Sequence, residues 1–224
     1  MDRFGERLEA ERAESAMASV VAGVVRDGEL VWSGGSGAVD GRDGEATTPD
    51  TQYRIGSISK TLTAVEVMRL RDEGRLDLAD PIGSHLRDVP FGHVTIAQLL
   101  THTSGLQAET NGPWWERTDG PAWDELLATR PALVHAPGTR FHYSNVGFAV
   151  LGRLVEVLRE VPWFATVHAS ILQPLAMDRT TERPVAPWAP GLSRHPDGAL
   201  LMAEPEHDAR AMAPAGQLWS TVTD

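Results

Sequence analysis

The segment from Ser57 to Gly74, SISKTLTAVEVMRLRDEG, constrains the architecture more than any other part of this chain. It opens on serine, closes on glycine, and carries apolar residues at Ile58, Leu62, Val65 and Met68 plus Val67 and Leu70. That stripe is wider than a surface helix needs, so the spacing predicts a mostly buried central helix ending at Gly74. Other elements must then pack around it on more than one side.

The same helix holds the chain's only lysine, Lys60, three residues after Ser57, whereas every other basic side chain is arginine. Arginine keeps its proton near neutral pH, but a buried amine can lose one and act as a base. Three residues apart at a helix start, Ser57 and Lys60 are neighbours, and a hydroxyl needs such an acceptor to attack an acyl carbon. The competing assignment makes Ser57 a helix cap and leaves Lys60 in solvent. A second pattern, Tyr143-Ser144-Asn145, uses one of two tyrosines and one of two asparagines. A phenol near a cation can shuttle a proton, and a carboxamide two residues later can donate to a substrate carbonyl. Read alone, it also fits a core tyrosine followed by a capping asparagine.

Around these motifs the elements alternate. Asp2 to Ser19 suits a surface helix, and Asp27-Gly28 between two apolar runs predicts an antiparallel hairpin. Gly34 to Asp50 reads as an irregular loop. Thr95 caps a short helix from Ile96 to Thr101, Pro121 to Ala128 is another helical segment, Ser144 or Asn145 starts a helix to about Arg159, and Pro162 starts one to Leu172. Residues Arg183 to Pro190 are irregular, and Gly191 to Asp224 reads as extended segments and loops. The expected class is α+β: an antiparallel sheet flanked by helices plus a helical lobe, the sheet incomplete in this chain. A single domain is expected, with residues 1–56 in the sheet part, 57–182 mainly helical and 183–224 returning toward the sheet.

At net charge −11 and pI about 5.1, without a basic stripe, a phosphate backbone is a poor partner. No apolar run spans a bilayer. The amino terminus as it stands lacks a secretory pattern, which makes the cytoplasm the expected compartment. Absence of cysteine excludes thiolate chemistry. The eight histidines (His85, His93, His102, His135, His142, His168, His195 and His207) show no metal-ligand spacing, so no metal or other cofactor is expected. Trp114, Trp115 and Trp123 either line an apolar acyl pocket or simply pack.

Taken together, Tyr53 to Thr61, Asp80-Pro81 with Leu99 to Leu106 (LLTHTSGL), Tyr143 to Phe148 (YSNVGF) and Pro214 to Thr221 (PAGQLWST) resemble the serine beta-lactamase and penicillin-binding-protein superfamily. The likeness is to its branch of class C beta-lactamases, D-aminopeptidase and DD-carboxypeptidase relatives, and esterases. It implies Ser57 as acylated nucleophile, Lys60 as activating base, Tyr143 as proton relay and Asn145 as substrate contact. His102 and Ser104 are expected as scaffold. Two departures stand out. Gln217 replaces a usual glycine, and the third motif, Lys-Thr-Gly or His-x-Gly on a later strand, has no counterpart, so the chain is expected to be one piece of a longer hydrolase. The expected function is a serine hydrolase acting on a small ester, amide or beta-lactam, with a missing carboxy-terminal segment or a second copy as partner. The alternatives are a non-catalytic remnant of the fold and a biosynthetic acyltransferase.

Overall fold

A two-residue type I′ hairpin turn needs two consecutive residues with positive φ, and Asp27 (φ 53) and Gly28 (φ 83) supply them. The turn joins β1 (Ser19–Arg26) to β2 (Glu29–Gly37), antiparallel, with an irregularity between Val24 and Val25. The computed structural model describes residues 3–41, 44–194 and 201–224. Ahead of the hairpin, α1 (Arg3–Glu14) buries none of its residues, as a surface helix should. It stops short of the expected Ser19 because Ser19 already pairs with Gly37. Asp2 and His195 lie outside the described residues.

The chain forms two units, one of residues 1–54, 176–206 and 218–224, the other of residues 55–175 and 207–217. The first holds the strands. Besides β1 and β2, β3 (Tyr53–Arg54) pairs with β6 (Trp219–Ser220), and β4 (Leu192–Arg194) pairs with β5 (Leu201–Ala203). All pairs are antiparallel, and among the described residues no sheet exceeds two strands.

The second unit is helical: α2 (Ser59–Asp72), α3 (Ile96–Leu100), α4 (Trp123–Ala128), α5 (Asn145–Arg159), α6 (Trp163–Val167) and α7 (Ala213–Gly216). Thr95 and Gln98 close a capping box on α3. Ser144 is the cap of α5, its Oγ accepting from the N–H of Gly147 at 2.9 Å. Helix α6 continues into one wider turn over His168–Leu172. Gly152 lets α5 and α7 approach closely, since a Cβ there would stand 2.0 Å from Pro214 Cγ.

Two expectations are corrected here. Helix α7 lies inside a stretch read as extended. Four residues are too few to show helical periodicity, and the turn forms because Pro214 suits a helix start and Ala213, Pro214 and Ala215 are buried. The buried face of α2 also differs from its apolar stripe: Ile58 is 63% and Val65 39% exposed, while Ser59, Lys60, Thr63 and Glu66 are buried beside Val67 and Leu70. Two of them, Lys60 and Thr63, are tolerated there because α7 offers them acceptors. A helix leaves its last four carbonyls without intrahelical partners. The carbonyl of Pro214 accepts from Thr63 Oγ1 at 3.0 Å and that of Ala215 from Lys60 Nζ at 2.6 Å.

Candidate active site

Gly56 takes a positive φ of 52 and turns the chain into a single 3-10 turn, Gly56–Ile58, that carries Ser57 just ahead of α2. Ser57 is not the helix cap, a place that Ile58 takes. Its Oγ instead receives two hydrogen bonds, from Lys60 Nζ at 2.9 Å and from the Tyr143 hydroxyl at 2.8 Å. Ser57 is exposed whereas Lys60, one turn on, is only 6% exposed. The hydroxyl thus faces solvent while the amine beneath it is kept dry.

Burial pushes the Lys60 ammonium below the usual lysine value of 10.5. The Tyr143 phenol and then the charges of Glu109 and Glu116 pull the other way. The amine donates to the Ser57 hydroxyl at 2.9 Å and to the Ala215 carbonyl at 2.6 Å, both neutral. It also lies 4.9 Å from the Tyr143 ring centre and 5.7 Å from that of Phe148.

Tyr143 arrives from the chain just before α5, and the ring of His102 stacks on it at 4.3 Å and 28°. His102 Nδ1 accepts the Ser144 backbone N–H at 3.1 Å. That acceptor role requires an unprotonated Nδ1, and burial, together with the nearby Lys60 charge, holds His102 below the ordinary histidine value. The imidazole therefore braces both the phenol and the cap of α5. Asn145 is 5% exposed; its Nδ2 donates to Glu109 Oε1 at 2.5 Å, and its Oδ1 is buried with no hydrogen-bond partner. Trp115 Nε1 donates to the other Glu109 oxygen at 2.8 Å.

Ser57, Lys60 and Tyr143 are thus in mutual contact, and Asn145 stands two residues beyond Tyr143. Two neighbours were not assigned a role from the sequence, the Ala215 carbonyl and Glu109, and His102 was expected only as scaffold. Ala215 and His102 fall inside quoted motifs, PAGQLWST and LLTHTSGL, which signals their position but not these contacts. Glu109 sits in an aperiodic loop that offered no signal. Gln217 turns to its own loop, accepting from Ala209 N at 3.2 Å and donating to His207 O at 3.4 Å. Of the tryptophans, Trp115 is buried, while Trp114 is half exposed beneath Arg117 at 4.7 Å. Among the described residues no cluster of three or more metal-ligating side chains occurs, and no helix is long and apolar enough to cross a membrane.

A paired serine and buried lysine at the head of a helix, with a tyrosine on the same oxygen, is the constellation of serine acyl-transfer enzymes that use an amine in place of imidazole. A family model for beta-lactamase matches residues 5–224, and the chain belongs to that family. It is 33% identical over 190 residues to esterase EstB of Burkholderia gladioli, an alignment covering 73% of this chain and 47% of the esterase. The octameric penicillin-binding protein homologue of Pyrococcus abyssi superposes with TM-score 0.84 at 29% identity, over 97% of this chain and 54% of that one. The D-amino acid amidase of Ochrobactrum anthropi SV3, complexed with L-phenylalanine amide, gives TM-score 0.83 at 25% identity, over 96% and 64%. The chain therefore spans between about half and two thirds of the length of these relatives.

Proposed function

We infer that this chain acts as a serine acyl hydrolase through an ester-linked acyl-enzyme on Ser57. The observation that carries the reading is the double contact on Ser57 Oγ, from Lys60 Nζ at 2.9 Å and Tyr143 at 2.8 Å. With Lys60 neutral, the 2.9 Å contact reverses: the serine O–H donates to Nζ. Oγ then attacks the acyl carbon as its proton passes to Lys60, and the C–O or C–N bond to the leaving group breaks. Tyr143 hands a proton to the departing oxygen or nitrogen and recovers one from Lys60, so no net proton stays on the protein. Water next attacks the ester, losing its proton to the same pair, and Ser57 leaves reprotonated with the acid released.

Esters and amides are the substrate classes we assign, on the activities that the names of the esterase and the amidase state for those proteins. The same tetrahedral chemistry serves both.

Intact-mass measurement after exposure to a fluorophosphonate tests the reading. One adduct that maps to Ser57 and is lost in Ser57→Ala is expected. A chain that folds yet takes no adduct would be a non-catalytic member of the fold.

A further inference from the structure

Of the chain's two asparagines, only Asn111 lies outside the acyl site, and it is followed by glycine. The carbon of an asparagine amide is an electrophile, and the main-chain nitrogen of the next residue is the nucleophile nearest to it. Reaction between them needs a permissive backbone and an N–H that no other group engages. Gly112 meets the first need because it has no side chain to restrict its φ and ψ. Asn111, Gly112 and Pro113 form an exposed bend between α3 and α4, and among the described residues no group accepts a hydrogen bond from Gly112 N. The asparagine side chain is presented by its neighbours. Gln107 is itself fixed, its Oε1 accepting from Ala132 N at 2.7 Å and its Nε2 donating to the Glu109 carbonyl at 2.7 Å. That Nε2 also donates to Asn111 Oδ1 at 3.2 Å, on the oxygen where negative charge would gather when the amide carbon is attacked. Asn111 Nδ2 donates to the Thr129 carbonyl at 3.4 Å. Both contacts lie at or beyond the long end of the hydrogen-bond range, so the amide can still turn toward Gly112 N. Asn145 lacks these features: it is 5% exposed, opens α5 and precedes buried Val146, whose branched Cβ crowds the same approach.

We propose that Asn111-Gly112 is a self-modification site, at which the folded chain converts its own asparagine to a mixture of aspartate and isoaspartate. Gly112 N, its proton lost to hydroxide, attacks Asn111 Cγ. The bond from Cγ to the side-chain nitrogen breaks, and ammonia leaves with a proton taken from water. Water then adds to either carbonyl of the five-membered imide. Opening on the side-chain side gives aspartate, and opening on the main-chain side gives isoaspartate. Water is consumed and ammonia released, and nothing is oxidised or reduced. The isoaspartate product places one more carbon in the main chain between Glu109 and Trp115. Those two residues are joined across the same stretch by the Trp115 Nε1 to Glu109 Oε2 bond at 2.8 Å, and Glu109 Oε1 accepts from Asn145 at 2.5 Å. The change therefore falls in the segment that carries Glu109 to the acyl site. It also sets a carboxylate against the Thr129 carbonyl that had received an N–H.

The test holds wild type, Gly112→Ala and Asn111→Gln in mildly alkaline buffer and samples each by isoelectric focusing and peptide mass mapping. Alanine fits at 112, since a Cβ there meets nothing within 4 Å and Gly112 does not take a positive φ. Wild type should gain one negative charge per chain, mapping to Asn111, with part of the product resisting an aspartate-specific protease as isoaspartate does. Gly112→Ala should slow the gain by about tenfold or more, because the added Cβ narrows the backbone freedom that the attack needs. Asn111→Gln should abolish it. A parallel wild-type sample unfolded in guanidinium gives the rate of the unstructured chain, which the folded chain should equal or exceed. A folded chain that reacts more slowly than the unfolded one overturns the proposal. So does a charge gain that maps elsewhere, or one that Gly112→Ala leaves unchanged. None of these readouts depends on Ser57, so they stand apart from the acyl-enzyme reading.

Discussion

Two buried charged side chains stand six residues apart on the inner face of α2, and their surroundings are opposite. Glu66 has no exposed surface and meets the Ser170 hydroxyl, Arg69 at 3.7 Å and Arg159 at 3.6 Å, with Arg159 also forked onto Glu73 at 2.6 and 2.9 Å. Lys60 donates to the Ser57 hydroxyl and the Ala215 carbonyl, two neutral acceptors. A buried carboxyl packed against guanidiniums serves the fold, because removing it strands its partners. Held by neutral groups, a buried ammonium is poised to lose its proton and can serve chemistry.

Lys60→Arg puts this contrast under the greatest strain. It keeps the positive charge and removes the capacity to accept a proton, so Ser57 acylation should fall by about a thousandfold, read as the fluorophosphonate labelling rate. Labelling within tenfold of wild type would show that proton abstraction runs elsewhere. The pH dependence follows from the same burial. Neutral amine is required, so acylation should rise with pH through a midpoint below the ordinary 10.5 of lysine. Between the folded and unfolded values the unfolded chain binds the extra proton, so folding stability also rises with pH across that window. A flat labelling profile from pH 6 to 10 would contradict this.

The Glu66 half of the contrast predicts the reverse pattern. Glu66→Ala strips Ser170, Arg69 and Arg159 of a shared acceptor and should cost about 3 kcal/mol in denaturant unfolding, with the folded fraction still labelling at Ser57. A variant that stays stable but stops labelling would make Glu66 part of the chemistry. Gly152→Ala sharpens the comparison from a third side. The new Cβ would stand 2.0 Å from Pro214 Cγ, on the short helix whose Ala215 carbonyl holds Lys60. Overpacking of this kind costs about 2 kcal/mol. It should also slow labelling beyond the stability loss, because the amine loses its neutral partner.

The legibility of these features in the sequence varied with how local their causes are. Asp27-Gly28, Thr95 with Gln98, and Ser144 act within a few residues, so the hairpin, α3 and the start of α5 were readable. Lys60, Tyr143 and Asn145 stood out because their residue types are scarce, and Ser57, one of twelve serines, only through its spacing from Lys60. The inner face of α2 was not readable, since two of its polar residues are met by carbonyls far along the chain, 155 residues from Lys60 to Ala215 and 151 from Thr63 to Pro214, and Glu66 by Ser170, 104 residues on. Glu109 was hidden for the same reason: nothing near it in the chain announces that Asn145, 36 residues on, will hold it. His102 was quoted within a motif, but its contact with Tyr143 is a fact of packing, which spacing alone does not encode.

The smallest expected effect comes from the residue between the two halves of the second motif. Ser144 Oγ accepts from Gly147 N at 2.9 Å and donates to Gln107 O at 2.7 Å, while its backbone N–H is held by His102. Ser144→Ala removes the first two contacts and keeps the third, and loss of a cap costs about 1 kcal/mol. If His102 is what fixes Tyr143, the phenol stays over Ser57, so labelling should change less than about threefold, below the tenfold expected of an effect near 1.4 kcal/mol on the barrier. His102→Ala in the same background should then slow labelling further with little added loss of stability. Should Ser144→Ala alone slow labelling tenfold or more, the cap rather than the imidazole orients the phenol, and Ser144 would belong with Lys60 among the groups that serve chemistry.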